Sequence, residues 1–443
     1  MHSTKLEKRG VPTAPVETEV FAPLAENHAK LVGNPFLRIT YVPQPVSRVP
    51  SAKCREYIES NDPVTHRPVV DEIVEALTKP LTKKDKRSGL EERPVPRLLG
   101  PDTEENLQRF FLENKMTDFL PIVLPTEERV AEMLKGTSHK ADEVVGEMRA
   151  AYEALSFNVE QVAANAVMAG AKPEYMPVIL AMAASGMSAI VTSTSGFAKM
   201  IVVNGPIRNE IGMNSGIGAL SPFNQANGVI GRVATLMSIN LGGGGVPNLT
   251  YWGSQGNNLN YNHVTFAENE EALPPGWKPF HVQKGFKPDE SVVSFFQGWS
   301  LWNWANTFEN EKCGAILHMA GWARPSGVSR SGFGVLLDPI VCEDLVKEGF
   351  PTKESLSEYV HKNSMLPLEQ YWQYHLVIGF TLPAAHKGVE PFASWLKQPK
   401  STLVHRYHSP NEISILAVGG RTNDFWQGGE WSYTGSFSVD EWR

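Results

Sequence analysis

Chemistry-bearing residues are densest between positions 201 and 245, where IVVNGPIRNEIGMNSGIGALSPFNQANGVIGRVATLMSINLGGGG crowds carboxamides and glycines together. Asn204, Asn214, Asn224 and Asn227 each offer donors and acceptors, Ser215 adds a hydroxyl, and Gly205 presents a backbone N–H that a ligand can approach closely. Arg232, in the helix that follows, and Arg421, after a Gly-Gly turn, carry forked donors suited to a carboxylate or phosphate. An ion pair with one of the 48 acids is the alternative for either arginine. His263, Glu268 and Glu270 follow in a long Asn/Gly-rich stretch, and His263 or Glu268 is the candidate for proton transfer. Together these types suit the binding of a small polar or anionic molecule.

The elements that must hold them are legible in outline. Ile201, Val202 and Val203 predict a strand that stops at Asn204-Gly205-Pro206. Ser221 as N-cap and Pro222 at the first helical position predict the start of the next helix. Phe223, Ala226, Ile230, Val233, Met237 and Leu241 recur at helical spacing and predict its buried stripe. A second face, Asn224, Asn227, Gly228, Gly231 and Thr235, holds two interior glycines at a cost of about 1 kcal/mol each, so something must approach it closely. A packed neighbour and a bound ligand both satisfy that requirement.

Other motifs fail on inspection. The chain has no GxSxG elbow and no GxxxxGK[ST] loop, and Gly216-Ile217-Gly218 is followed by Ser221 where a third dinucleotide-binding glycine would stand. His405 and His408 form an HxxH without the accompanying Glu of a zinc helix, so a structural role is expected. Metal content and cofactors stay open. Three scattered cysteines, Cys54, Cys313 and Cys342, make neither a disulfide framework nor a CxxC pair.

The 443 residues, 42% hydrophobic, suffice for two or three domains, and a net charge of -7 disfavours nucleic acid as the main partner. No secretory leader is evident, and the apolar run 176–191 is too short to cross a bilayer, which suggests a cytoplasmic protein without a membrane role. Helix and strand alternate over the first forty residues, with helices at 4–9 and 23–32 and strands at 11–18 and 37–42, as though a first strand were missing. The expected division is a partial α/β domain at 1–45 and a proline-rich, charged linker at 46–103. An α/β domain with the ligand loop at 104–270 and a C-terminal α/β region at 271–443 complete it. The linker's basic cluster, Lys83, Lys84, Lys86 and Arg87, reads as solvated surface. The fold class expected is α/β, with open, mostly parallel sheets flanked by helices and a first domain that lacks a strand.

Several long segments carry a resemblance: LEKRGVPT, LPTEERVAEMLKGT, NVEQVAANAVMAGAKPEYMPVIL, NGPIRNEIGMNSGIGAL with NQANGVIGR, and FAENEE. They resemble the UGSC family of (seleno)proteins, and the first domain also resembles the selenoprotein subunits of glycine and proline reductases. The resemblance implies a reactive cysteine or selenocysteine a few residues upstream of the segment matching 2–13, and the chain has none there. A small cysteine- or selenocysteine-bearing subunit would then supply it, making this chain the larger subunit of a hetero-oligomeric, thiol-dependent redox enzyme. His2 would sit beside the partner's thiol and lower its pKa. The alternatives are a non-catalytic binding or scaffold subunit and a metal-dependent hydrolase or lyase.

Overall fold

The computed structural model describes residues 2–31, 33–46, 49–83, 85, 96–149, 155–191, 193–305, 311–329 and 331–443. Thirteen strands run in chain order among these residues. They are β1 (Val16–Thr18), β2 (Thr40–Val42), β3 (Val144–Met148), β4 (Leu155–Asn158), β5 (Ala198–Asn204), β6 (Val264–Ala267) and β7 (Val292–Gly298). β8 (Trp302–Ala305), β9 (Phe333–Leu337), β10 (Met365–Pro367), β11 (Leu403–His405), β12 (Ile413–Ala417) and β13 (Phe425–Ser438) complete the set.

Seven of them form the central sheet, in the order β12-β9-β13-β7-β5-β6, with β8 also paired to β13. Only β12/β9 and β5/β6 are parallel. β13 runs antiparallel to β7, β8 and β9, and β5 antiparallel to β7. The expected mostly parallel sheet is therefore wrong: the sheet is mixed and dominated by antiparallel pairs. The cause is β13, whose 14 residues bridge the two parallel pairs by taking β9 along its first half and β7 along its second. The sheet also curls into a half-barrel, because its edge strands meet at one end, where Asn269 N donates to Ala417 O at 2.8 Å.

Burial follows the strand period of two. Met200 and Val202 of β5 face the inside of the curl with Phe266, Phe296, Leu336, Leu416 and Trp431. Ile201 and Val203 face outward, onto the helices Val159–Ala169, Met176–Ser185 and Gln225–Asn240. All seven residues of β5 are buried, and each aliphatic side chain stabilises the fold by about 1.5–3 kcal/mol relative to exposure. On the other limb Val335, Leu337, Ile413 and Ile415 pack under the helices Lys312–Ala320, Pro339–Lys347 and Lys353–Asn363.

The N-terminal part is a small unit in which β1 and β2 pair in parallel around the helix Ala22–Leu31. Helices Ser51–Glu59 and Val69–Thr78, within the stretch read as linker, pack on β2 through Tyr57, Val69 and Val42. Lys84, Lys86 and Arg87 lie outside the described residues, as does the side chain of His2. The 270/271 boundary falls between strands of one sheet, since β5 and β6 pair with each other and β5 pairs with β7. Among the described residues no helix is long and apolar enough to cross a membrane.

Candidate functional site

The segments NGPIRNE and FAENEE, 64 residues apart at Asn204 and Glu268, meet at the carboxyl ends of the parallel pair β5/β6. Chain ends of neighbouring parallel strands leave a crevice where polar groups collect. Asn204 Nδ2 donates to Glu268 Oε2 at 2.7 Å and to Glu270 Oε1 at 2.9 Å, and Gly205 N donates to the same Glu270 oxygen at 2.8 Å. Gly205 has φ +80°, and a Cβ there would stand 2.2 Å from Glu290 O, so only glycine lets the chain leave β5 this way.

Glu268 is fully buried and its carboxylate is saturated. Lys353 Nζ approaches Oε1 at 2.5 Å, Ala417 N donates to Oε1 at 3.3 Å, and Phe280 N donates to Oε2 at 2.6 Å. It locks β6, β12 and the helix Lys353–Asn363 together, and no lone pair faces an approaching substrate. Arg208, with only 6% of its side chain exposed, makes a bidentate pair with Glu271 at 2.8 and 2.6 Å and brings Nε to 3.3 Å from Glu270. Its hydrogen bonds hold the Glu271 carboxyl down at about 2.

His281 is also fully buried, with Nδ1 3.9 Å from Glu270 Oε1. Neither ring nitrogen has a hydrogen-bond partner among the described residues, and Asn204 Oδ1 also lacks one. Buried polar atoms left unpaired are uncommon, and here they gather around one partly exposed carboxylate. A carboxylate facing an imidazole with a free nitrogen can hold and move a proton.

The other expected site residues lie elsewhere. His263 precedes β6, at the end opposite Glu268, so the two proton-transfer candidates do not share a site. Its ring is buried, Nδ1 accepts from Lys199 N at 3.3 Å, and Nε2 lies 3.3 Å from Thr235 Oγ1. Burial first, and then the charge of Lys199, push the imidazole down to about 3, so it is neutral at pH 7. Burial likewise lowers Lys199 to about 8.

The amide-rich loop turns on itself. Asn227 Oδ1 accepts from Asn214 N at 3.0 Å, and its Nδ2 donates to Asn214 O and Ala219 O at 2.8 and 3.0 Å. Asn214 closes its own turn through Gly216 N and Ile217 O, and Ser215 O accepts from Gly419 N at 2.8 Å. Asn224, not Ser221, caps the helix, accepting from Asn227 N at 3.0 Å and donating to Gly212 O at 3.1 Å. Starting the helix three residues later takes Phe223 off the buried stripe and leaves it 87% exposed.

Protein approaches the glycine face at Gly231, where a Cβ would stand 1.8 Å from Asn262 O, whereas a Cβ on Gly228 would meet nothing within 4 Å. Arg232 pairs bidentately with the buried Asp118 at 2.8 and 3.0 Å, and Arg421 pairs with Glu343. His405 stacks on His361 with centroids 4.5 Å apart, while His408 Nε2 bonds Gly327 O at 2.9 Å, so the HxxH pair diverges. Among the described residues no three His, Cys, Asp or Glu side chains are grouped for a metal ion.

The sequence reading missed Arg208, Glu271, His281 and Lys353. Arg208 and Glu271 lay within the quoted segments NGPIRNE and FAENEE, whereas His281 and Lys353 arrive from distant elements that carry no local signal.

Comparison with known proteins is confined to the N-terminal unit. A model of the UGSC family matches residues 2–78, which contain β1, β2 and the helices packed on them. The likeness to that family is thus narrower than the segments along the whole chain suggest, and nothing extends it to glycine or proline reductase subunits. No curated protein and no solved structure matches the chain.

Proposed function

We propose that the chain is the larger subunit of a UGSC-like, thiol-dependent redox enzyme acting on a small polar or anionic molecule, its reactive cysteine or selenocysteine supplied by a partner chain. The observation that carries this reading is the two-stranded parallel sheet. Parallel strands are ordinarily buried within larger sheets. Here Asp62 Oδ2 takes the outward N–H of Tyr41 on β2, while among the described residues no strand pairs with the outer edge of β1, where Val16 is exposed. Exposed Leu6, Val11 and Val20 lie close by in the chain, and a row of strand N–H and C=O groups beside apolar side chains suits an added strand.

The chain's own buried thiols support a nucleophile from outside. Burial pushes Cys313 up to about 11 and Cys342 up to about 12, which leaves almost no thiolate at neutral pH. In the body, Asn204 and Gly205 would orient Glu270, and His281 beside it would handle a proton of the substrate.

Native purification followed by alkylation mass spectrometry tests the reading. We expect a stoichiometric second polypeptide whose cysteine or selenocysteine alkylates at pH 7. A catalytically active chain purified alone would overturn it. A non-catalytic scaffold is the second reading, favoured by the amide-rich loop's internal bonding.

A further inference from the structure

Two carboxyl groups of the N-terminal unit meet on one threonine. Asp62 is fully buried, and three backbone N–H groups fill its carboxylate: Tyr41 N on Oδ2 at 2.5 Å, and Val64 N and Thr65 N on Oδ1 at 2.6 and 2.9 Å. Glu72, in the helix Val69–Thr78, accepts from the hydroxyl of the same Thr65 on Oε1 at 2.7 Å. Its Oε2 is buried and has no hydrogen-bond partner among the described residues. A buried carboxylate oxygen without a donor is costly, and a second carboxylate beside it adds repulsion. A proton on Glu72 removes both costs at once, because the neutral acid donates to Asp62.

The charges around the pair do not replace that proton. Arg67 holds Nη1 3.7 Å from Glu72 Oε1, is half exposed, and gives Nη2 to Glu75 at 2.7 Å. Glu75 is shared with Lys79, while His66, Asp71 and, on the helix Ser51–Glu59, Arg55, Glu56 and Glu59 are exposed to solvent. Neither strand supplies a cation: the Tyr41 hydroxyl of β2 donates to Glu26 at 3.4 Å, and Glu17 is the charged residue of β1. Burial, and then the Asp62 carboxylate, push the Glu72 carboxyl above the usual glutamate range against the pull of Thr65 and Arg67. Burial opposes ionisation of Asp62 as well, but its three N–H donors outweigh it and hold that carboxyl below the usual range.

We propose that Asp62 and Glu72 share one proton and so form a pH-sensitive clasp that closes the segment 60–68 over the outer edge of β2. Asp62 fastens that segment three times: its carboxylate takes the outward N–H of Tyr41, its N–H donates to Arg67 O at 2.8 Å, and its C=O accepts from His66 N at 2.8 Å. When Glu72 gives its proton to solvent, two negative charges lie side by side, and withdrawing the Asp62 turn from β2 parts them. A carboxyl whose folded pKa is raised contributes stability that is complete below about 4.3, its value in an unfolded chain, and is lost as pH rises through the folded value. The clasp is therefore closed in acid and loosens as pH rises. It uses this chain's residues alone and does not depend on the partner thiol.

Hydrogen exchange of the full chain at pH 4.5 and pH 8, corrected for the intrinsic exchange rate and read by mass spectrometry in peptides spanning residues 40–45, tests it. Protection of the Tyr41 amide should be lost between the two pH values in the natural protein. Glu72→Gln keeps the acceptor for Thr65 and sets an amide donor against Asp62 at every pH, so protection should persist at pH 8. The natural protein's own pH dependence is read without any variant, so the test decides even where Glu72→Gln folds poorly. Equal protection at both pH values in the natural protein, or the same loss in Glu72→Gln, would overturn the proposal.

Discussion

Replacing His263 with Asn removes one buried titration while keeping most of the local structure. His263 has φ +56°, a conformation that Asn adopts readily, and Asn Oδ1 falls where His Nδ1 accepts from Lys199 N. The folded protein holds the imidazole at about 3, against about 6.5 in an unfolded chain. A base whose folded pKa is depressed contributes stability that is complete above its unfolded value and is lost as pH falls towards the folded one. The window here runs from about 6.5 down to about 3, and the whole shift corresponds to roughly 5 kcal/mol. By pH 5 the unfolded imidazole is almost fully protonated and the folded one is not, which costs the native state roughly 2 kcal/mol relative to pH 8. Urea unfolding followed by tryptophan fluorescence at pH 8 and pH 5 should show a loss larger by this amount in the natural protein than in His263→Asn, which shares its other titrating groups. The titration of Lys199 is common to both proteins and cancels in the comparison. In carbon-labelled histidine NMR spectra, the resonance absent from the variant should stay still from pH 8 to pH 4.5. Identical pH dependence of stability in the two proteins, or a His263 midpoint above about 5, would refute the assignment of the ring as a buried neutral group.

Three further substitutions probe the packing. Lys353→Met leaves the Glu268 carboxylate buried without its cation and should cost about 3–5 kcal/mol in thermal or urea unfolding, whereas a loss below about 1 kcal/mol would mean the pair is hydrated. Gly231→Ala drives a methyl into Asn262 O and should destabilise by about 1–3 kcal/mol, with a displaced 258–263 segment visible in amide exchange. Phe223→Ser should change stability by no more than about 0.5 kcal/mol, because the ring lies in solvent; a large loss would restore it to the buried stripe.

The parts of the fold that were legible are those written in local periodicity. The run FGVLLDPIVCEDLVKEGFPTKESLSEYV gives β9 and two helices, and EISILAVGG gives β12, because each apolar set repeats at its own element's period. What defeated the reading is FWQGGEWSYTGSFS, whose glycines and serines hide a 14-residue strand. Glycine is weak in strands, yet Gly429 and Gly298 are required by backbone and tryptophan atoms that would lie within 2.3–3.1 Å of a Cβ. That strand makes most of the antiparallel pairs, so missing it turned a mixed, curled sheet into an open parallel one. The site divides the same way. Asn204 stood out as the polar ending of an apolar strand and Glu268 as an acid in a stretch read as an Asn/Gly-rich loop, whose strand β6 went unread, whereas His281 and Lys353 reach the cluster by tertiary packing alone.

The carboxamides between Asn214 and Asn227 invite a ligand reading because each can donate and accept. The same property makes them the natural braces of an irregular loop, whose backbone groups have no ladder or helix to satisfy them. Each described bond of Asn227 closes such a gap: it accepts from Asn214 N and donates to Asn214 O and Ala219 O. Free hydrogen-bonding capacity lies instead at Asn204 and His281, where three buried atoms lack hydrogen-bond partners among the described residues. Density of amides in the sequence and availability of amides in the fold therefore point to different ends of the same loop. Two substitutions separate them. Asn227→Ala should lower stability by about 1–3 kcal/mol and leave per-molecule activity at permissive temperature unchanged. His281→Gln, which keeps more of the buried ring's volume than Asn, should instead lower turnover by more than its loss of stability accounts for, since the ring gives up no hydrogen bond. If activity follows Asn227 and is indifferent to His281, the loop is the binding surface and the cluster around Glu270 is only a structural brace.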